Sequence, residues 1–253
     1  MKKLSVCIIC KNEESTIESC LESVKWADEI VIVDSGSTDK TLEIAKKYTD
    51  KIFIRDDWEG FGEQRRRAEK LATNDWLFAI DCDEVVTPEL QQEILKTLSS
   101  IEDKQVISVN RLTKFCGKYI YHSGWHPDRI VRIYNKNITG YNTSLVHEAV
   151  EKKGLERINM QGKLLHHQYE DLFPYINKRN KYAMFGADQI LRKNKKSSLT
   201  KALSSAIFAF IRHYFLRLGF LDGKAGLIIS IIQSQYSFNK YIFAYYHKDN
   251  VKK

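Results

Sequence analysis

The sequence predicts an α/β fold: a mainly parallel central sheet with helices on both faces, followed by a helical extension. Three observations carry that expectation. Residues 4–10, 29–34, 52–55 and 76–80 are strand-length runs, apolar almost throughout, as strands buried on both faces are. Segments of helical period separate each run from the next, the pattern of parallel strands joined by crossover helices. From residue 171 onward the period is helical, with no strand-like run.

Taken in order, the first strand is followed by a helix over 15–25 with Ile17, Leu21 and Val24 on one face. The second strand ends at Asp34, and Ser35-Gly36-Ser37-Thr38-Asp39 is a turn capping a helix whose apolar positions are Leu42, Ile44 and Ala45. The third strand leads to a helix over 63–72, and the fourth to Asp81-Cys82-Asp83-Glu84 and a helix over 88–98. Residues 106–110, 129–134 and 163–165 are β-rich and read as a mixed extension of the sheet. In the tail, Leu203, Ile207, Ile211, Tyr214, Phe215 and Leu218 form a helical stripe. The expected division is a sheet domain over 1–170, with halves 1–100 and 101–170, and a basic, aromatic-rich helical extension over 171–253.

With 253 residues, 43% hydrophobic and 28% charged, the chain can bury a core, which excludes a disordered, collagen-like or coiled-coil protein. Its cysteines, at 7, 10, 20, 82 and 116, are an odd and scattered set, so a reducing cytosol is the expected compartment. The net charge of +8 is unevenly placed: residues 171–253 hold 15 Lys and Arg against 4 acids, leaving the first 170 residues slightly acidic. Such a cationic, aromatic segment suits an anionic membrane face, nucleic acid, or a helical subdomain with a solvated basic face. Neither a spanning helix, which needs roughly 18 apolar residues, nor a cleaved signal is expected.

Ligands of an open parallel sheet bind beyond the carboxyl ends of its strands. Here Lys11-Asn12-Glu13-Glu14 follows the first strand, Asp34-Ser35-Gly36 the second and Asp81-Cys82-Asp83-Glu84 the fourth. Three strands thus bring carboxylates to one edge, where repulsion calls for a cation or hydrogen-bond donors. Two carboxylates at i and i+2 can turn toward one divalent ion, although a lone Asp-x-Asp can also cap the next helix. Other motifs carry less. Cys7-x-x-Cys10 has a redox spacing, but residues three apart on a strand face opposite sides, so two buried thiols are expected. His147-Glu-Ala-Val-Glu151 lacks the second His of a zinc-protease motif. Gly60-Phe-Gly-Glu-Gln-Arg65 has Arg where a dinucleotide loop needs its third Gly, and it follows the wrong strand.

Ser5-Val-Cys-Ile-Ile-Cys-Lys-Asn-Glu-Glu14, Val33-Asp-Ser-Gly-Ser-Thr-Asp39 and Ile80-Asp-Cys-Asp-Glu84 resemble the family 2 glycosyltransferases with the GT-A fold. Trp26-Ala-Asp-Glu-Ile30, Gly60-Phe-Gly-Glu-Gln64, His122-Ser-Gly-Trp125, Val146-His-Glu148, Leu165-His166 and Phe220-Leu-Asp-Gly223 resemble a bacterial subgroup that adds sugars, typically glucose, to the lipopolysaccharide inner core. The resemblance covers nearly the whole chain. It implies a nucleotide-binding half over 1–100 and an acceptor half over 101–170. It further implies that Asn12, Glu13, Asp34, Ser35, Arg65 and Asp81 contact the nucleotide sugar, with Ser35 standing where the family's second acid is common. Asp81, Asp83 and His166 are then the holders of Mg²⁺ or Mn²⁺, and Glu148 the base on the acceptor hydroxyl. Trp125 is a sugar platform or a core residue, and Asp128 meets the acceptor as the next candidate base.

The chemistry agrees with those roles. Displacing a nucleoside diphosphate leaves negative charge that a carboxylate-held cation offsets. An oxygen-rich site with one imidazole suits Mg²⁺ or Mn²⁺ better than zinc. The acceptor hydroxyl must lose a proton on the opposite face, and single displacement inverts the anomeric carbon. Leu145 and Val146 beside Glu148 are expected to raise its pKa. The expected function is inverting, metal-dependent transfer of a hexose, glucose from UDP-glucose, to a heptose of the inner core. The expected partners are the UDP-sugar donor, a lipid-linked core oligosaccharide and an anionic membrane, with no nucleic acid. The expected place is the cytoplasmic face of the inner membrane, held peripherally. The alternatives are a transferase for another surface polysaccharide, a nucleotidyltransferase, and a non-enzymatic basic module for membrane or nucleic acid. The nucleotidyltransferase lacks its Gly-rich loop after the first strand, and the basic module leaves the carboxylates at three strand ends unexplained.

Overall fold

A computed structural model describes residues 1–142, 148–169 and 171–250 of the chain, with side chains described up to residue 247. The apolar runs of the first hundred residues form β1 (Leu4–Cys10), β2 (Glu29–Asp34), β3 (Ile52–Ile54) and β4 (Trp76–Asp81), paired in parallel. Between them lie α1 (Ile17–Val24), α2 (Thr41–Ala45) and α3 (Phe61–Leu71). A three-residue strand, β5 (Glu84–Val86), and α4 (Pro88–Leu98) follow. Then come β6 (Gln105–Phe115), its hairpin partner β7 (Lys118–Tyr119), β8 (Asp128–Asn135) and β9 (Glu156–Tyr169). The sheet order is β3-β2-β1-β4-β8-β6-β9-β5, parallel at one end, with antiparallel pairing beginning where β8 meets β4. Sequence reasoning took β5 for part of a loop.

The chain packs as two units: Met1–Arg111 with Asp128–His167, and Leu112–Pro127 with the chain from Gln168 onward. The sequence reading drew one boundary, after residue 170. Residues 112–127 go with the second unit because Phe115, Ile120 and Trp125 pack with Tyr175, Ile229 and Ile232. No local periodicity could announce that pairing.

In the first unit, the continuous apolar strands serve two cores. Val6, Ile8 and Cys10 of β1 join Leu21, Phe78 and Leu90 on one face, while Cys7 joins Val31, Ala68 and Leu77 on the other. Cys7 and Cys10 are therefore buried thiols on opposite faces, and burial pushes the Cys7 thiol far above its ordinary range. Truncating a residue such as Ile8 to Ala in so closed a core costs about 2–5 kcal/mol. α4 starts cleanly because Thr87 accepts from Leu90 N at 3.3 Å and Pro88 fills the first turn; Leu90, Ile94 and Leu98 then bury one stripe. β9 crosses this helix at Gly162, where a Cβ would stand 2.5 Å from the Leu90 backbone. Glu93 Oε2 accepts from Gln161 N and Gly162 N at 2.8 and 3.0 Å, fastening strand to helix.

The second unit holds α5 (Leu172–Arg192), α6 (Leu199–Ile211), a π-helical turn (Arg212–Leu216), a 3₁₀ turn (Gly219–Asp222) and α7 (Lys224–Asn250). Asp171 and Ser198 cap α5 and α6, accepting from Phe173 N and Lys201 N at 3.2 and 3.1 Å. Asp222 is buried and accepts from Tyr121 N, His122 N and Ser123 Oγ at 3.0–3.1 Å, with the His122 ring at 3.1 Å. Two sequence motifs, His122-Ser-Gly-Trp125 and Phe220-Leu-Asp-Gly223, thus meet at one carboxylate. Among the described residues no helix is long and apolar enough to cross a membrane.

Glu29 ties β2 to its surroundings. Burial opposes its charge, but hydrogen bonds from Lys51, Ser5 and Thr73 hold the carboxyl down to about 2 from an ordinary 4.5. A carboxyl depressed in the folded state contributes stability that is full above its unfolded pKa and is lost as pH falls toward the folded one. Glu29→Gln is expected to lower stability at pH 7 by about 2–3 kcal/mol. It should also flatten the loss of stability between pH 4.5 and 2, read from urea unfolding across pH.

Candidate active site

Strand register builds the site. Cys10 lies opposite Asp34 and Ile9 opposite Asp81, so the loops after β1, β2 and β4 reach one sheet edge. The first two interlock. Asn12, at φ 56° in the left-handed region that Asn tolerates, accepts from Thr38 N at 2.8 Å and donates its own N–H to Ser37 Oγ at 2.9 Å. Glu13 N donates to Thr41 Oγ1 at 2.7 Å. Asp34 has no exposed surface, and Oδ1 accepts from Gly36 N and Ser37 N, both at 2.8 Å. Ser35 is also buried and accepts from Gln64 Nε2 at 2.9 Å. These bonds fix the shape of the loop that carries Asp34 and Ser35.

Behind the loops lies a charged network. Asp81 Oδ1 accepts from Arg65, and Asp81 Oδ2 accepts from Arg132 Nη2 at 2.6 Å. Arg132 also donates to Glu84 Oε1 at 2.7 Å, and Glu84 Oε2 accepts from Asp81 N at 3.0 Å. Arg65, Arg132 and Glu84 are all buried. Burial works against the Asp81 charge, yet Arg132 and then Arg65 hold its carboxyl far below the carboxylate range. Asp81, expected to share one cation with Asp83, thus has a guanidinium on each of its oxygens.

Asp83 turns elsewhere. β5 pairs antiparallel with β9, setting Glu84 opposite His166, and this brings Asp83 Oδ2 within 3.2 Å of His166 Nε2. His167 N donates to Asp83 O at 2.8 Å. Burial, together with the carboxylates of Asp83, Asp39 and Asp81, pushes Glu13 up against the opposing hydrogen bond from Thr16. Acidic groups are thus crowded at this edge, with one buried imidazole among them. Among the described residues no group of three or more His, Cys, Asp or Glu could hold a metal alone. Asp83 and His166 could supply two ligands to a hard divalent cation such as Mg²⁺ or Mn²⁺.

Three further expected residues lie on other segments of the chain. Glu148 is half-buried, beside Ala149, whose carbonyl accepts from Asn142 N at 3.1 Å. Among the described residues no hydrogen bond or ion pair joins it to Asp83. Leu145 and Val146, from which a raised pKa is expected, lie outside the described residues. The segment's ends are pinned near the network, since Tyr141 bridges to Val150 and lies 5.1 Å beneath Arg65. Asp128 Oδ2 accepts from Arg111 Nε at 2.9 Å, and Arg111 Nη1 lies 3.5 Å from Glu84. Trp125 belongs to the second unit, edge-on to Phe115 and Tyr175 at 5.6 and 5.7 Å.

Arg132, Glu84 and Gln64 were missed as site residues. Arg132 did leave a trace, a single charge inside the apolar run Ile130-Val131-Arg132-Ile133.

Residues 5–157 match the family described as Glycosyl transferase family 2. Over 245 residues the chain is 30% identical to the lipopolysaccharide core biosynthesis glycosyltransferase LpsC of Rhizobium meliloti, covering 93% of this chain and 89% of that one. Over 243 residues it is 32% identical to an uncharacterized glycosyltransferase of Rickettsia typhi, covering 92% and 83%. Among solved structures, glucosyl-3-phosphoglycerate synthase from Mycobacterium tuberculosis, crystallised with Mg²⁺ and UDP, aligns over 44% of each chain at 27% identity and a TM-score of 0.39.

The network makes Asp81 a structural residue before any ligand arrives. Asp81→Asn leaves two buried guanidiniums short of counter-charge and is expected to cost about 3–5 kcal/mol in urea unfolding without nucleotide or metal. Unchanged stability in that variant would return Asp81 to a purely ligand-facing role.

Proposed function

The chain belongs to glycosyl transferase family 2 and is a glycosyltransferase with the GT-A fold; from that premise we propose that it transfers glucose from UDP-glucose to a heptose of the lipopolysaccharide inner core, with inversion. Similarity to LpsC over most of both chains supports the acceptor class. The observation that carries the chemistry is the Asp83–His166 pair, 3.2 Å apart at the carboxyl edge of the sheet.

Asp83 and His166 would hold the divalent cation, and with it bound the charge building on the leaving UDP is offset. Asn12 and Glu13, on the loop after β1, orient the nucleotide sugar. Arg65 and Asp81 hold each other, and through Arg132 they stiffen the turn that presents Asp83. Glu148 takes the proton of the acceptor hydroxyl as its oxygen bonds to the anomeric carbon and the bond to the diphosphate breaks. Trp125 and Asp128 serve the acceptor. A lipid-linked acceptor and a cytosolic nucleotide sugar meet at the inner membrane's cytoplasmic face, where the basic second unit holds the enzyme peripherally.

UDP release from UDP-glucose, with Mn²⁺ or chelator and with or without a heptose-ended acceptor, tests the reading. It should require both cation and acceptor, and release indifferent to chelator would overturn the metal. Asp83→Ala should lower turnover at least about a hundredfold while leaving the unfolding free energy from urea titration within about 0.5 kcal/mol of the parent. Glu148→Gln keeps the shape and removes the basicity, so UDP-glucose binding by calorimetry should persist while transfer falls about 10²–10⁴-fold. Near-normal transfer in that variant would move the base to another carboxylate.

A further inference from the structure

The second unit exposes an apolar surface where α6 runs into the turns before α7. Ile207 is 62% exposed, Phe208 59%, Phe215 52%, Leu216 68%, Leu218 45% and Leu221 55%. A lone exposed leucine is ordinary, but large apolar side chains gathered within fifteen residues mark an interaction surface. The sequence stripe through Ile207, Ile211 and Phe215 is thus turned outward.

Two further observations bear on what covers it. Leu218 sits at φ 54°, a left-handed conformation that costs a branched residue about 1–2 kcal/mol and that glycine would adopt freely. A leucine there, 45% exposed, keeps a large apolar side chain at the surface in a conformation that glycine would hold at less cost. The second observation is charge. Arg212, Arg217 and Lys224 flank the surface, and among the described residues none makes an ion pair. Asp222, the one acid between 199 and 231, is 2% exposed and spends its carboxylate on residues 121–123. Burial and the neighbouring Arg212 pull the Arg217 pKa down, so the two cations already repel. The tip is also braced, because Gly226 packs so close to the Gly219 carbonyl that a Cβ there would overlap it.

We propose that residues 207–221 insert as a braced apolar wedge into the interface of an anionic bilayer, with Arg212, Arg217 and Lys224 meeting lipid phosphates. A second copy is a poorer fit: a two-fold interface sets this surface against itself, and it offers three cations and no exposed acid. The inference deepens the membrane contact proposed above and needs no sugar transfer for its test.

Flotation of the full chain with phosphatidylcholine vesicles, with and without phosphatidylglycerol, reads it directly. Binding should require phosphatidylglycerol and weaken as salt rises. Leu216→Gln with Leu221→Gln should reduce vesicle partition about tenfold or more at unchanged melting temperature. Leu218→Gly should raise the melting temperature while weakening vesicle binding, opposite signs that a purely internal role would not produce. Equal flotation with both vesicles, or unaltered binding of the double variant, overturns the wedge. So does a chain that floats with neither vesicle and sediments as a dimer which the double variant splits.

Discussion

Arg65 and Arg132 are buried, and a guanidinium removed from water without a counter-charge costs several kcal/mol. Asp81 and Glu84 offset that cost, and the rest of the edge inherits its geometry from the exchange. Because Asp81 closes β4 and Glu84 opens β5, the turn between them is clamped at both ends by Arg132. Asp83 lies inside this clamped turn, so its direction toward His166 is set by a network in which it takes no part. Arg111 extends the same arrangement from Glu84 to Asp128.

Much of the frame was legible because it rests on local signals. Strands buried on both faces must be apolar throughout, so β1, β2 and β4 could be read directly, and register then carried Asp34 and Asp81 to one edge. β5 could not be read: its three residues gain their strand character only from β9, some eighty residues away. Arg132 is the same kind of case, a charge whose meaning depends on Asp81 across the sheet. At Asp34 the position at the strand end could be read but not its surroundings, since sequence does not reveal that Gly36 and Ser37 donate to its carboxylate. Trp125, read as a sugar platform or a core residue, stands edge-on to Phe115 and Tyr175, contacts that no local pattern announces.

In the tail, composition ran ahead of structure. Lysines and arginines interleaved with aromatics suggested one basic face, yet several of these cations lie over rings of their own unit. Arg179 stands 4.1 Å above Tyr236, and Lys240 4.7 Å from Tyr241. Such pairs contribute about 0.5–1 kcal/mol each at exposed sites, so part of the basic and aromatic composition serves packing within the unit. Of the described residues, the cations that lie over rings do not include Arg212 or Arg217.

The crossing of β9 over α4 at Gly162 carries a consequence for how this protein can vary. Gly162 is four residues before His166 on the same strand, and the Glu93 carboxylate holds the backbone at 161 and 162 against the helix. Any side chain at 162 would press on the Leu90 backbone and force strand and helix apart, four residues from the imidazole. Variation at this position is therefore confined by a seam where the missing side chain is what lets two backbones meet.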